Sequence, residues 1–266
     1  MSDTDPTVRL DRTDGIATIT LADPDRRNAL TAALTEGIRD ALDELEGGDT
    51  RCVVFEGDGP AFSAGGDIEL MIERFAEDGT AEEAVRYVIR DIGRTIRQVA
   101  ECEFPTVAKV DGAAFGAGAN LAIACDIALF SAAATIGFGF RQVGLAVDSG
   151  TSYLLPRRVG DNVARELVFT GEQVSADRAK EIGIANHVYP TDAFEERADG
   201  LVETIAEGPP IALRTSKRLL RHNPTTSLPA AIEQEAAAQA APIESADHAE
   251  GVSAFIERRD PEFTGE

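Results

Sequence analysis

Apolar and polar residues alternate through "TVRLDRTDGIATITLAD", and this period of two predicts two short strands. Asp14-Gly15 between them is a strong hairpin signal. The period then lengthens. In "TAALTEGIRDALDEL" the residues Leu34, Ile38, Leu42 and Leu45 recur on one helical face, which predicts an amphipathic helix. "CVVFEG" reads as a short buried strand ending in glycine. "EEAVRYVIRDIGRTIRQVA" predicts a second amphipathic helix with Val85, Val88, Ile92, Ile96 and Val99 on its stripe. "TVAKV" predicts another strand, closed by "DGAAFGAGAN" and followed by the apolar run "LAIACDIALF". The polar stretch "FAEDGTAEE" reads as a connection between two helical patterns.

Strands and helices therefore alternate, which predicts an α/β architecture. Beyond Pro190 the pattern is helical throughout, in "AFEERADGLVETIAEG", "PPIALRTSKRLLR" and "LPAAIEQEAAAQA". No low-complexity linker precedes this tail and no fixed-period repeat is found. The expected organisation is a core over residues 1–200 with a helical region over 201–266 packed on it or on a neighbouring subunit.

A chain of 266 residues with 43% hydrophobic content is long and apolar enough for one large globular core. No run approaches 18 apolar residues, and "MSDTDPTVRL" has neither a basic flank nor an apolar core. A cytoplasmic protein that does not enter membranes is expected. The charge is extreme: 47 acidic against 25 basic residues leave −22, and the only lysines are Lys109, Lys180 and Lys217. Such a surface repels nucleic acid phosphates and anionic lipids, so neither is an expected partner. It suits a very salty cytoplasm, where screening reaches only a few Å. Cys52, Cys102 and Cys125 lack CxxC spacing and sit among apolar or small residues, so buried free thiols are expected. His187, His222 and His248 are scattered. No metal site is expected.

Two glycine-rich turns follow short strands and lead into helices: "GPAFSAGGDIELM" and "DGAAFGAGANLA". Small residues let a ligand approach the backbone, and a helix N-terminus offers unpaired N–H groups to an anion. The second turn is not a dinucleotide fingerprint, because Leu121 holds the third glycine position and no acid follows about twenty residues on. No GK[ST] is present either. One further stretch stands out. In "GLAVDSGTSYLLPRRVG", Asp148 lies between an apolar run and a helix start, as an N-cap or as a carboxylate placed for chemistry.

"AFSAGGDI", followed some fifty residues on by "VDGAAFGAGANLAIACDIAL", resembles the enoyl-CoA hydratase/isomerase (crotonase) superfamily. "DPDRRNAL", "GLAVDSGTSYLLPRRVG", "LVFTGEQVSADRAKEIGIANHVYP" and "EGVSAFIERRDPEF" extend the likeness over nearly the whole chain. The resemblance implies a spiral of β-β-α repeats with a C-terminal helical trimerisation region from about Ile205 onward. The assembly would be a homotrimer or hexamer. The ligand would be an acyl-CoA thioester, with coenzyme A as part of the substrate and no permanently bound cofactor. Two backbone N–H groups would hold the thioester oxygen as it becomes enolate-like, and on these motifs they fall on Gly66 and Ala117. Donors of this kind are each worth about 10²–10³ in rate. Ala64, Gly65, Gly66, Asp67 and Ile68 would line the CoA arm, and Arg26 would stand near a CoA phosphate.

The hydratases of this family use two glutamates to add water. This chain has Asn120 at one position and Phe140 at the other, both expected to line the substrate instead. Asn does not transfer protons at neutral pH and Phe does not activate water, so hydration is not expected. The string around Asp148 is similar to the branch containing the 1,2-epoxyphenylacetyl-CoA isomerases, where an aspartate here is the acid/base. That implies double-bond or ring-opening isomerisation through one carboxylate, whose pKa an apolar surround of Phe140, Val143 and Val147 would raise. Phe115 and Phe138 join Phe140 as candidates for an acyl pocket. The 4-chlorobenzoyl-CoA dehalogenases also place an aspartate here, but they pair it with a histidine where this chain has Arg97. A CoA-thioester binding or assembly protein without turnover would keep the same loops.

Overall fold

The hairpin signal closes two antiparallel strands, β1 (Val8–Thr13) and β2 (Ile16–Leu21), with Thr13 opposite Ile16. The computed structural model describes residues 6–67 and 80–266. Ile68 and the Phe75–Gly79 part of the polar connection lie outside the described residues. After α1 (Ala32–Glu44) the chain repeats one unit. A strand enters a first sheet, a shorter strand enters a second sheet, and a helix follows. The units are β3 (Cys52–Gly57) with β4 (Ala61–Ser63), β5 (Thr106–Val110) with β6 (Ala113–Phe115), and β7 (Ile127–Ser131) with β8 (Thr135–Gly137). The first sheet runs β1-β2-β3-β5-β7-β10, with β10 at His187–Tyr189, and is parallel from β2 onward. The second runs β4-β6-β8-β9, with β9 at Gln173–Ser175. This is the expected spiral of β-β-α units in an α/β fold.

Period two separates the faces of the first sheet. Val53, Phe55, Ala108, Val110, Ala128 and Phe130 join the main core with the second sheet and its helices. Cys52, Val54, Val107 and Leu129 turn to the other face, where α7 (Phe194–Ala206) covers them with Phe194, Ala198, Val202 and Ala206. α7 runs unbroken across residue 200, where the helical region was expected to begin. Lys109 shares that face and is 6% exposed. Burial lowers its ammonium pKa, but Glu195 and Asp199 of α7 more than offset this and hold it above the usual lysine range.

The first predicted helix is α1: Leu34, Ile38 and Leu42 are buried, with Leu45 just beyond it. Thr31 caps it by accepting from Leu34 N–H. The second departs from the prediction. It forms α2 (Ala81–Tyr87), a π turn at Val88–Gly93 and α3 (Arg94–Glu101). Ile92, Ile96 and Val99 are buried, whereas Val85 is 56% exposed. The wider π turn shifts the helical phase, so one stripe cannot stay on one face across it. The run "LAIACDIALF" divides into the end of α4 (Ala117–Ala124) and the start of β7. α5 (Thr151–Thr170) is kinked at Gly160, and the short α6 (Ala176–Glu181) follows β9.

The tail continues as α8 (Pro210–His222), α9 (Leu228–Ala238), α10 (Ala240–Glu244) and α11 (Ala246–Glu257). α8 is fastened to the core: Arg214 donates to the Thr50 carbonyl at 2.7 Å, and Lys217 pairs with Asp126 at 2.7 Å. Among the described residues no helix is long and apolar enough to cross a membrane. Cys52 and Cys125 are buried and Cys102 half-buried, all as free thiols. Burial pushes the Cys52 thiol up to about 12.

Candidate active site

The two glycine-rich turns meet backbone to backbone. Gly65 has φ +89°, and a Cβ there would lie 2.3 Å from the Phe115 carbonyl oxygen and 3.2 Å from Ala117 N. A Cβ on Gly118 would lie 2.4 Å from the Ser63 carbonyl oxygen. Only glycine permits this approach. A brace from "DPDRRNAL" holds the first turn in place. The Ala64 N–H donates to the Arg27 carbonyl at 2.8 Å and the Leu30 N–H to the Gly65 carbonyl at 2.7 Å. Ser63 Oγ donates to the Asn28 carbonyl at 2.7 Å. The buried Asn28 amide in turn donates to the Ala61 carbonyl at 2.8 Å.

Among the described residues neither the Gly66 N–H nor the Ala117 N–H has a hydrogen-bond acceptor. Ala117 opens α4, and its N-cap, Gly116, supplies no side-chain bond. The first N–H groups of a helix lack intrahelical partners and carry its positive pole. Two free donors on adjoining turns, one at a helix start, suit an oxygen that gains negative charge. Ala64, Gly66 and Asp67 are half-buried and Gly65 is buried along the same turn. Arg26 is exposed on the brace, next to Arg27, whose carbonyl accepts from the Ala64 N–H.

One turn into α4 stands Asn120, 0% exposed. Its Nδ2 donates to the Asp148 carbonyl at 3.1 Å, and its Oδ1 accepts from Thr151 Oγ1 at 2.9 Å. Thr151 N–H also reaches the Asp148 carbonyl, at 3.0 Å. Both ends of the Asn120 amide are thus engaged within the chain, a different use from the substrate lining expected of it. Asp148 is not the cap of α5: the N-cap is Gly150, with no side-chain cap bond. The turn between them is tight, with Ser149 at φ +47° and Gly150 at φ +92°. Ser149 is buried, and its Oγ has no hydrogen-bond partner among the described residues. The Asp148 carboxyl is half-buried and its pKa is raised. Burial is the main cause, and the adjacent Ser149 hydroxyl pulls weakly the other way without reaching bonding geometry.

The aromatic residues divide. Phe138 lies in the core and Phe140 is buried on the 3-10 turn Gly139–Val143. The Phe115 ring rests on the "GFGF" stretch so closely that a Cβ on Gly139 would stand 2.0 Å from Phe115 Cζ. Val143, expected in the apolar surround of Asp148, is instead 54% exposed, and Val147 is half-buried. Arg97 is a surface side chain paired with Glu101 at 2.9 Å. Sequence reasoning missed Asn28, Thr151 and the glycine seat under Phe115. Only the asparagine in "RRNAL" gave a local sign, since Asn tolerates the left-handed backbone (φ +54°) found there.

A sequence profile described as Enoyl-CoA hydratase/isomerase matches residues 11–266. A Rhodobacter capsulatus protein named "Probable enoyl-CoA hydratase" is 35% identical over 261 residues, 97% of this chain and 98% of its own. The 1,2-epoxyphenylacetyl-CoA isomerase of Escherichia coli is 33% identical over 252 residues, 94% of this chain and 95% of its own. The 1.8 Å crystal structure of an enoyl-CoA hydratase from Bacillus anthracis has a TM-score of 0.91 at 33% identity, covering 98% of this chain and 100% of that one.

Proposed function

This chain belongs to the enoyl-CoA hydratase/isomerase family of enzymes, and within it we propose an acyl-CoA isomerase whose single proton shuttle is Asp148. The observation that carries the proposal is the attachment of Asp148 to α4. The helix that begins with the free Ala117 N–H holds the Asp148 carbonyl one turn later through Asn120. The base and the Ala117 donor therefore share one helix as support.

In the proposed reaction the Asp148 carboxylate takes a proton from the carbon beside the thioester carbonyl. The C–H electron pair moves into the C–C bond, and the carbonyl π pair moves onto oxygen. The Gly66 and Ala117 N–H groups stabilise the resulting enolate. The protonated Asp148 carboxyl exchanges its proton with water while the enolate is held. It then gives a proton to the far end of the original double bond as the enolate electrons return to restore the carbonyl. No redox partner is therefore needed; ring-opening of an epoxyphenylacetyl-type thioester would use the same groups. A positioned base of this kind contributes about 10²–10⁴-fold. Coenzyme A arrives with the substrate, its arm along Ala64 to Asp67 and its phosphates near Arg26. The similarity to named hydratases does not supply the missing acid/base pair, because Asn120 and Phe140 stand at those two positions. We further propose a homotrimer or hexamer in the cytoplasm.

The test is a panel of acyl-CoA thioesters in deuterated water, read for double-bond migration and deuterium uptake beside the carbonyl. Uptake with at least one unsaturated acyl-CoA is expected, with no hydration of crotonyl-CoA by ultraviolet absorbance. Enzyme-dependent hydration without migration would overturn the isomerase reading.

A further inference from the structure

Asn120, Thr151 and the Asp148 carbonyl form a closed hydrogen-bonded ring at the start of α5. Three donors approach that carbonyl: Asn120 Nδ2 at 3.1 Å, Thr151 N at 3.0 Å and Thr151 Oγ1 at 2.9 Å. A carbonyl oxygen has two lone pairs, and a hydroxyl has one proton to give. The consistent assignment gives the hydroxyl proton to Asn120 Oδ1, 2.9 Å away. It leaves the carbonyl to the two N–H donors. Each polar atom of the ring then has a partner.

The ring encloses backbone that does not hold its shape unaided. Ser149 and Gly150 are consecutive left-handed residues, and a non-glycine residue there costs on the order of 1–3 kcal/mol. Ser149 Oγ is buried without a partner among the described residues. None of these contacts involves the Asp148 carboxyl. They fix the backbone on either side of it.

We propose that Asn120 and Thr151 are positioning residues that aim the Asp148 carboxylate from behind through its own carbonyl. Asn120, on the helix of the oxyanion donor, couples the two halves of the site. The inference rests on the reading of Asp148 as the base. It adds that the site needs this amide and hydroxyl pair to hold the base at working distance. A misplacement of about 1 Å is enough to cost roughly 10²-fold in rate.

The experiment compares Thr151→Val, Thr151→Ser, Asn120→Ala, the Thr151→Val/Asn120→Ala double variant and Asp148→Asn in the deuterium-uptake assay. Thr151→Val and Asn120→Ala are expected to lower kcat for exchange by roughly 10–100-fold with KM little changed. Thr151→Ser, which keeps the hydroxyl, should retain most of the rate. The double variant should be little worse than the poorer single one, since either change opens the same ring. The acid limb of the pH–rate profile should move to lower pH, because a carboxyl released toward water loses the burial that raises its pKa. A change that only loosens the fold lowers the melting temperature without moving that limb. If Asp148→Asn abolishes uptake while folded Thr151→Val keeps the wild-type rate and acid limb, the clamp is refuted and the base stands. If Asn120→Ala fails to fold, Thr151→Val alone decides. If Asp148→Asn retains uptake, the reading of the base fails first, and the clamp with it.

Discussion

Asp148 can be altered with little disturbance to its surroundings, because its contacts to Asn120 and Thr151 run through the main chain. Asp148→Asn keeps the shape and removes the base. Deuterium uptake is expected to fall by about 10²–10⁴-fold. Stability should not fall with it. The folded-state pKa of Asp148 is raised by burial, so the folded state binds this proton more tightly than the unfolded chain does. The group favours folding at low pH and opposes it once ionised, as pH rises through the folded-state value. Asn removes that opposition, and the melting temperature at neutral pH should stay level or rise slightly. The same shift places the acid limb of wild-type uptake above the ordinary aspartate value of about 3.9. A limb at or below that value, or a variant that loses stability yet keeps uptake, would show that Asp148 is not the shuttle.

Among the elements, the turn carrying Gly66 is the most exacting. Gly65→Ala would bring a Cβ against the Phe115 carbonyl at a backbone angle reserved for glycine, forcing the two turns apart. Uptake should fall by at least the roughly 10²–10³-fold expected for one lost oxyanion donor. Asp148 should remain intact, seen as an unmoved acid limb. A Gly65→Ala enzyme with normal uptake would show that the donors lie elsewhere. The motif "SAGGDI" marked this turn, yet periodicity alone did not place it against Ala117. What was legible was local: the hairpin at Asp14-Gly15 and the stripe of α1 need only near neighbours. What was not legible depends on distant contacts. Val85 fits a helical stripe, but the π turn at Val88–Gly93 breaks its phase. Asn120 and Phe140 could be named as absent glutamates, whereas the turn of the Asn120 amide onto Asp148 depends on Thr151, 31 residues away. The Phe115 ring needs Gly139 beneath it, a packing relation with no sequence period.

At the scale of the whole molecule, strong self-repulsion meets uncovered apolar surface. The chain carries −22, while its helical tail exposes Leu220, Leu228, Ile232, Ile243, Val252, Phe255 and Ile256, with Phe255 at 86% and Ile256 at 73%. Burying one such side chain is worth about 1.5–3 kcal/mol, so several per subunit would stabilise the proposed trimer substantially. The same charge on every copy opposes that contact, and salt decides the balance. The screening length is about 10 Å at 0.1 M and about 3 Å at 1 M. Light scattering in molar salt should therefore give a mass of three or six chains. Lowering the ionic strength should shift it toward the monomer, with a falling melting temperature. Phe255→Glu with Ile256→Glu should dissociate the assembly even in high salt, because the charges then replace the apolar contact itself. A wild-type monomer in molar salt would overturn the assembly proposed here. A trimer indifferent to both salt and these substitutions would place the interface on another face.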